Sequence, residues 1–121
     1  MNFLLVALGG GLGSLARYLM GQKWNTGKAQ LPVGTWMSNI FGSLLLAILF
    51  VLYDKEMIPS HIWYLGGIGF SGAYTTFSTF SKETIHLVEN RQYRLALWYV
   101  LSSLLIGLAT VMIILLLFMD I

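Results

Sequence analysis

The sequence contains no cysteine, two prolines and few charged residues, five acidic and seven basic among 121. Without cysteine, a disulfide framework, thiol catalysis and a zinc–thiolate site are excluded. Charged residues make up 10% of the chain against about 25% in a soluble domain, while 57% are hydrophobic and the mean hydropathy is +0.76. The net charge of +2 is small and its basic residues are scattered, so nothing indicates nucleic-acid binding. The composition predicts a membrane protein surrounded by lipid.

The acidic residues do not form a recognisable active site. Glu83 and His86 have the E-x-x-H spacing of half a di-iron site, but a helical bundle needs that motif twice, with two further glutamates. The sequence also lacks a nucleophile–base arrangement and a phosphate-binding loop. We therefore expect no enzymatic activity. The remaining carboxylates are placed at loops and chain ends: Asp54, Glu56, Glu89 and Asp120.

Four apolar stretches are long enough to cross a bilayer, which takes about 20 residues each. The sequence predicts an all-α membrane protein with one domain, 1–121, and spans at about 2–21, 32–53, 61–89 and 93–119. The first stretch lacks the basic start and the cleavage site of a signal peptide, so we expect it to be the first helix of the mature protein.

The third stretch is unsuited to an uninterrupted helix. Four glycines occur within the seven residues 66–72, and a run of hydroxyl side chains with two phenylalanines follows. Each glycine lowers helix propensity by up to about 1 kcal/mol relative to alanine. Broken backbone is tolerated in a bilayer where it is buried in protein or lines a polar cavity. The third helix is therefore predicted to break near its middle and to face protein or a pore.

The first stretch carries a row of small residues that ends in a cation. Gly9 and Gly13 lie four apart, a spacing that permits close approach of another helix. Arg17 continues the same face. A membrane-embedded arginine either has a partner or a functional role, or it extends its side chain to the interface.

Polar side chains also occur in the other three stretches. Asn39 either joins two helices or offers its amide to a permeating anion. Phe77 and Phe80 share one helical face, and that periodicity by itself is typical of core. The fourth stretch is apolar apart from three hydroxyls, which either pack or line a narrow polar path: Ser102, Ser103 and Thr110.

The first three apolar stretches each contain a motif: Gly10-Gly11-x-Gly13-x-x-x-Arg17-Tyr18, Pro32-x-Gly34-Thr35-x-x-x-Asn39-x-x-Gly42 and Gly69-Phe70-Ser71-Gly72-Ala73-Tyr74-Thr75-Thr76-Phe77-Ser78-Thr79-Phe80-Ser81-x-Glu83. Together the three motifs resemble those of the Fluc (CrcB-type) fluoride channels, and the resemblance covers the whole chain. The string of threonines, serines and phenylalanines in the third motif is the most specific part. Two positions depart from the usual pattern, Ala73 in place of a second glycine and Tyr74 in place of an aliphatic residue.

The resemblance implies passive fluoride efflux across the bacterial cytoplasmic membrane through an antiparallel, dual-topology dimer with two narrow pores. It also implies a structural sodium ion at the dimer centre, bound by the backbone carbonyls of Gly72 and Thr75. Arg17 would make the surroundings electropositive. The residues that the resemblance assigns to the fluoride pore are Asn39, Phe77, Thr79, Phe80 and Glu83, with Ser102, Ser103 and Thr110 as weaker candidates.

The chemistry of the residues agrees with this function. Fluoride is small and strongly hydrated, so a dry pore has to replace its water with hydrogen-bond donors. Asparagine, threonine and serine side chains can donate, and an aromatic ring has a positive edge. Neutral donors also avoid binding the anion too tightly for conduction.

The basic residues are unequally divided between the two sides of the predicted membrane domain. One side carries five of them and the other carries Lys55, leaving out Arg17. Such a bias fixes orientation, with the basic loops cytoplasmic and both termini outside. The partner in the dimer is then either a second copy or, as we favour, a paralogue of opposite bias. The five basic residues on the first side are Lys23, Lys28, Lys82, Arg91 and Arg94.

Two other functions compete with the channel. A small multidrug-type transporter also has four helices, but it is expected to carry an acidic residue in its first helix, and this sequence has none there. A partner subunit whose own pores do not conduct is the other alternative. The presence of Asn39, Phe77 and Phe80 argues against it.

Overall fold

The structure, a computed structural model, describes residues 2–24 and 31–119, and over these residues the chain is helical apart from short turns. We number the helices in chain order, and α3 and α4 together make up the third of the four apolar segments. The bounds are α1 Phe3–Trp24, α2 Val33–Asp54, α3 residues 60–74, α4 Ser78–Glu89 and α5 Tyr93–Phe118.

Within the described part of the chain, three helices are long and apolar enough to cross a membrane unaided: Phe3–Lys23, Val33–Asp54 and Tyr93–Phe118. The 22 residues of α2 extend over about 33 Å, which matches a hydrocarbon core of about 30 Å. The segment expected at 61–89 does not meet this criterion as one helix, because residues 75–77 separate α3 from α4. The protein is therefore an all-α, multi-pass membrane protein.

Helix α3 is wound unusually over most of its length. Its central part, Trp63–Ser71, is a π-helix between two short α-helical turns, Ser60–Ile62 and Gly72–Tyr74. The Ser71 hydroxyl donates to the carbonyl of Gly66, five residues earlier, at 2.9 Å. Wide turns of this kind are rare and often occur at functional sites. Here the π-helix is followed by the turn Gly72–Tyr74 and then by residues 75–77, which we call the interruption.

Helices α1 and α3 touch through their backbones. A Cβ atom at Gly9 would meet the carbonyl oxygen of Leu65, and one at Gly13 would meet that of Phe70. A Cβ at Gly69 would lie 2.7 Å from the Val6 carbonyl oxygen. Lipid tails are as apolar as leucine, so van der Waals contact at such small residues provides much of the attraction between membrane helices. The glycine row predicted in α1 is thus the surface on which α3 rests.

Helix α4 is held by a small aromatic and aliphatic core. Phe80 and Leu87 of α4 pack against Ala96 and Tyr99 of α5. Trp36 of α2 lies against the same cluster. This core fixes the first turn of α4, and with it the position of the interruption, relative to α2 and α5.

Candidate functional site

Two threonines in the interruption cap the helices on either side of it, Thr75 the end of α3 and Thr76 the start of α4. Thr75 is extended, with a ψ of 154°, and its N–H and hydroxyl both donate to the Ser71 carbonyl, at 3.1 and 3.0 Å. Thr76 Oγ1 accepts the N–H of Thr79 at 3.2 Å and so serves the first turn of α4. β-Branched residues favour extended backbone, which explains the interruption locally. The structure therefore places the interruption a few residues beyond the glycine cluster.

Asn39 connects α2 to the interruption. Its Oδ1 accepts the Thr76 N–H at 2.8 Å, and its Nδ2 donates to the Thr76 carbonyl at 3.2 Å. The Ser43 hydroxyl, one turn further along α2, donates to the Asn39 backbone carbonyl at 2.8 Å. The sequence left two roles open for Asn39, joining two membrane segments or donating to an anion, and the structure shows the first of them. One of the two N–H groups of Nδ2 is used in that contact.

A cavity of about 460 Å³ opens beside the interruption, and we call it the break cavity. Polar groups from α2, from residues 75–76 and from α5 lie on part of its wall, and aromatic and aliphatic side chains form the rest. Its lining residues are Asn39, Ser43, Leu46, Gly72, Thr75, Thr76, Phe77, Phe80, Ser103, Leu104, Gly107, Leu108 and Val111.

The two phenylalanines of the cavity have different surroundings. Their ring centroids lie 6.3 Å apart, with an angle of 40° between the planes. Phe80 is 9% exposed and packs on Tyr99 at a centroid distance of 4.9 Å, whereas Phe77 is 80% exposed. The periodicity predicts a core position for both rings, and within the described residues only Phe80 occupies one.

The hydroxyls expected along the fourth segment are separated by the structure. Among the lining residues described, α5 contributes Ser103 to the break cavity but neither Ser102 nor Thr110. Ser102 accepts a hydrogen bond from Trp36 Nε1 at 2.9 Å, and Thr110 donates to the Ile106 carbonyl at 2.7 Å. Ser103 Oγ is buried and has no hydrogen-bond partner within residues 2–24 and 31–119. Ser103 is the hydroxyl of this set that is available to a ligand.

Two further buried hydroxyls were not identified as site candidates from the sequence. Ser38 Oγ and Tyr99 Oη also lack a partner in the part of the chain that the structure describes. An unsatisfied buried hydroxyl costs about 1–3 kcal/mol, so each such group calls for a ligand, water or partner. Tyr99 lies four residues before Ser103 on α5. That spacing, readable in the sequence, is the signal that could have identified it.

A second cavity, of about 340 Å³, contains the cation of α1, and we call it the arginine cavity. Arg17 and Thr79 both line it, whereas Phe80, the residue after Thr79, lines the break cavity. The first turn of α4 thus separates the two cavities. Glu83 accepts a hydrogen bond from the hydroxyl of Thr35, another lining residue, at 2.6 Å.

The residues assigned to the sodium ion lie at the interruption. Gly72 is the first residue after the π-helix, and a Cβ added to it would meet nothing within 4 Å among the described residues. Its side of α3 is therefore open within the described residues. Thr75 follows three residues later, in extended conformation. Backbone oxygens at such a position are ligands of the kind that hard cations take.

The chain is similar to fluoride channels over almost its entire length. A family model described as "CrcB-like protein, Camphor Resistance (CrcB)" matches residues 4–115. The "Fluoride-specific ion channel FluC" of Saccharophagus degradans is 37% identical over 112 residues, 92% of this chain and 84% of the relative. "Fluoride-specific ion channel FluC 1" of Halalkalibacterium halodurans is 42% identical over 116 residues, 90% and 91% of the two chains. The relative from Gloeothece citriformis is 42% identical over 110 residues, 90% and 89%.

Proposed function

The chain belongs to the CrcB-like family, and on this premise we propose that it is a fluoride-selective channel through which fluoride leaves the cell passively. It is an ion channel and not an enzyme, and it is a multi-pass protein of the cell membrane. The observation that carries the proposal is the break cavity, in which desolvated neutral donors and aromatic rings meet beside broken backbone. The specific assignments below are proposals in the same sense.

Fluoride would exchange its water for neutral donors in the break cavity. The unpartnered Ser103 hydroxyl and the remaining Asn39 N–H can donate, and the rings of Phe77 and Phe80 can present their positive edges. Such sites are weak enough for an ion to leave again. We assign the other end of the path to the arginine cavity, where Arg17 attracts the anion and Thr79 lies on the far side of the α4 turn.

Ser103→Ala is expected to lower fluoride flux several-fold while leaving the free energy of unfolding unchanged or slightly higher. The reason is that the variant removes a donor from the cavity together with a buried hydroxyl that costs about 1–3 kcal/mol in the absence of a ligand. Flux into liposomes and thermal unfolding in detergent measure the two effects. Thr110→Val is the control, because its hydroxyl is satisfied within α5. Equal flux in both variants would contradict the assignment of Ser103.

The single subunit leaves its interruption uncovered. Phe77 is 80% exposed and the Gly72 face is open, although both belong to a membrane segment. Irregular backbone at membrane depth has to be covered by protein or line a cavity. We propose that an antiparallel second chain covers this face, so that the assembly contains two pores. Lipid covers the remaining apolar exterior.

The same dimer would complete the sodium site. Each chain supplies the carbonyls of Gly72 and Thr75, so two chains together supply four oxygen ligands to one ion on the dimer axis. When bound, sodium would link the two subunits and add positive charge near the pores. The open Gly72 face is the support for this arrangement in one subunit.

The charge bias supports a paralogue rather than a second copy as the partner. Lys23 lies in the last turn of α1, and Arg91 and Arg94 lie at the turn into α5, so the order of the helices along the chain puts these three on one side. Lys82 lies within α4, on the part of the segment that leads to that same side. Lys28, counted with them, lies outside the described residues. Lys55 follows α2 on the opposite side. Because positive loops stay cytoplasmic, we propose a partner of opposite bias.

Expressed alone, the chain is expected to insert predominantly with both termini outside. A reporter that is active on one side of the membrane, fused to either terminus, measures the orientation. The double variant Lys23→Gln, Arg91→Gln should increase the fraction in the opposite orientation, because it weakens the bias. Equal populations of both orientations in the unsubstituted chain would show that a second copy suffices as partner.

Fluoride efflux from liposomes tests the channel itself. The purified chain, alone or mixed with a paralogue of opposite charge bias, is expected to release trapped fluoride rapidly and chloride very slowly, because the dry neutral pore excludes the larger anion. A fluoride-selective electrode measures the release. Absence of fluoride flux in both preparations would overturn the proposed function. Flux in the mixture alone would favour the paralogue as partner.

A further inference from the structure

The carbonyls of Gly72 and Thr75 have lost the donors that a continuous helix would give them. In an α-helix the carbonyl of residue i accepts from the N–H of residue i+4, here the N–H groups of Thr76 and Thr79. Both are held by side-chain oxygens instead. The Thr76 N–H donates to Asn39 Oδ1 at 2.8 Å, and the Thr79 N–H donates to Thr76 Oγ1 at 3.2 Å. Asn39 thus withholds the helical donor of the Gly72 carbonyl, and Thr76 withholds that of the Thr75 carbonyl.

The Asn39 contact also fixes the geometry of the interruption. Because Nδ2 donates to the Thr76 carbonyl at 3.2 Å while Oδ1 accepts its N–H, the amide of Asn39 holds both polar backbone groups of one residue. Thr75, just before it, is extended with a ψ of 154°, so the helix cannot close at this point. The Thr75 hydroxyl donates to the Gly72 carbonyl over a long distance, 3.4 Å. The Gly72 oxygen therefore keeps most of its capacity to bind a ligand.

We propose that Asn39 and Thr76 are positioning residues for the cation site: their side-chain oxygens keep the carbonyls of Gly72 and Thr75 free to bind sodium. This inference rests on the proposed function, in which those carbonyls bind the ion. A carbonyl that accepts a helical hydrogen bond has less electron density to offer a cation, so the two uses compete. Asn39 then acts on both ions. Its remaining N–H donates to the anion, and its Oδ1 binds the Thr76 N–H, which leaves the Gly72 carbonyl free for the cation.

Apolar variants of nearly equal size separate positioning from simple packing. Asn39→Leu and Thr76→Val remove the two acceptors, whereas Thr76→Ser keeps a hydroxyl oxygen at the same place. Ser43→Ala is a further control, because Ser43 lines the break cavity but its hydroxyl bonds to the Asn39 backbone and not to the interruption. If the effect came from a general perturbation of the cavity, the apparent sodium affinity would fall in all four variants.

The measurement is thermal unfolding of the purified assembly that conducts fluoride, the chain alone or with its paralogue, as sodium replaces N-methylglucamine at constant ionic strength. A ligand of the folded state raises the unfolding temperature by mass action. The apparent sodium affinity is expected to fall about tenfold in Asn39→Leu and Thr76→Val, the effect of one hydrogen bond that competes for the same carbonyl. It should stay close to the original value in Thr76→Ser and Ser43→Ala. Unchanged affinity in both apolar variants would overturn the inference.

A second readout does not depend on sodium. With ¹³C-labelled glycine carbonyls, solid-state NMR in N-methylglucamine reports whether the Gly72 carbonyl accepts a hydrogen bond. The Gly72 signal is expected to move toward the helical position in Asn39→Leu and to stay in place in Ser43→Ala. If the unsubstituted protein shows no sodium dependence, the sodium proposal fails, while this signal still decides whether Asn39 keeps the carbonyl free. An unmoved signal in Asn39→Leu would refute that role.

Discussion

Gly13→Ala is expected to leave little stably folded protein. The added Cβ would overlap the backbone carbonyl of Phe70, which belongs to α3 and cannot rotate away as a side chain could. Gly9→Ala meets the Leu65 carbonyl in the same manner. Overpacking typically costs about 1–3 kcal/mol, and a rigid backbone neighbour places both variants at or above the upper end. Since native proteins are stable by about 5–15 kcal/mol, we expect a large loss of folded yield and unfolding temperature.

Gly11→Ala is the matched control in the same helix. A Cβ at Gly11 meets nothing within 4 Å among the described residues. Alanine favours helix over glycine by up to about 1 kcal/mol, so this variant should be neutral or slightly stabilising. Thermal unfolding in detergent compares the three variants. If Gly13→Ala unfolds at the same temperature as Gly11→Ala, the contact between the α1 and α3 backbones is not as close as described.

Phe77→Ile is expected to lower fluoride flux by about tenfold or more with little effect on the stability of the subunit. An aliphatic side chain lacks the positive ring edge that would face the anion, and a loss of about 1.4 kcal/mol of stabilisation lowers a rate tenfold. Phe77 is 80% exposed, so its ring contributes little to packing within one chain. Liposome flux and thermal unfolding, measured on the same preparation, give the two quantities.

Phe80→Ile should lower flux as well, but at a cost to folding. The Phe80 ring is buried against Tyr99 and belongs to the core that holds α4. Its replacement by a smaller side chain is expected to lower the free energy of unfolding by about 1–3 kcal/mol. Normal flux in Phe77→Ile would contradict the pore assignment. Equal loss of stability in both variants would contradict the difference in packing between the two rings.

Much of the candidate site was accessible from sequence because it depends on residue type. A helix interior cannot accommodate four glycines in seven residues without cost, so the third segment was expected to be irregular. Asn39 and Arg17 stand out because polar and charged side chains are expensive in a membrane. The motif resemblance then assigned them to a fluoride channel, and the similarity to curated fluoride channels confirms that family.

Other features could not be read from spacing. Ser102 and Ser103 are adjacent and chemically identical, yet one is bonded to Trp36 and the other lines the break cavity. Phe77 and Phe80 share a helical face in the sequence, but α4 begins at Ser78, so Phe77 lies outside the helix that would have placed both rings together. Contacts with neighbouring elements, which periodicity does not show, determine which hydroxyl lacks a hydrogen-bond partner and which ring is exposed.

The sequence by itself determined the membrane class, the four apolar segments and the irregular third segment, because hydropathy and propensity act residue by residue along the chain. The family followed from the resemblance of its motifs. The tertiary structure decided where the interruption falls and what maintains it. Those features depend on contacts between segments far apart in sequence, Asn39 with Thr76 and Gly13 with Phe70. Hydrogen bonds and close approach between helices have no periodic signature in the chain, so they become visible when the helices are in place.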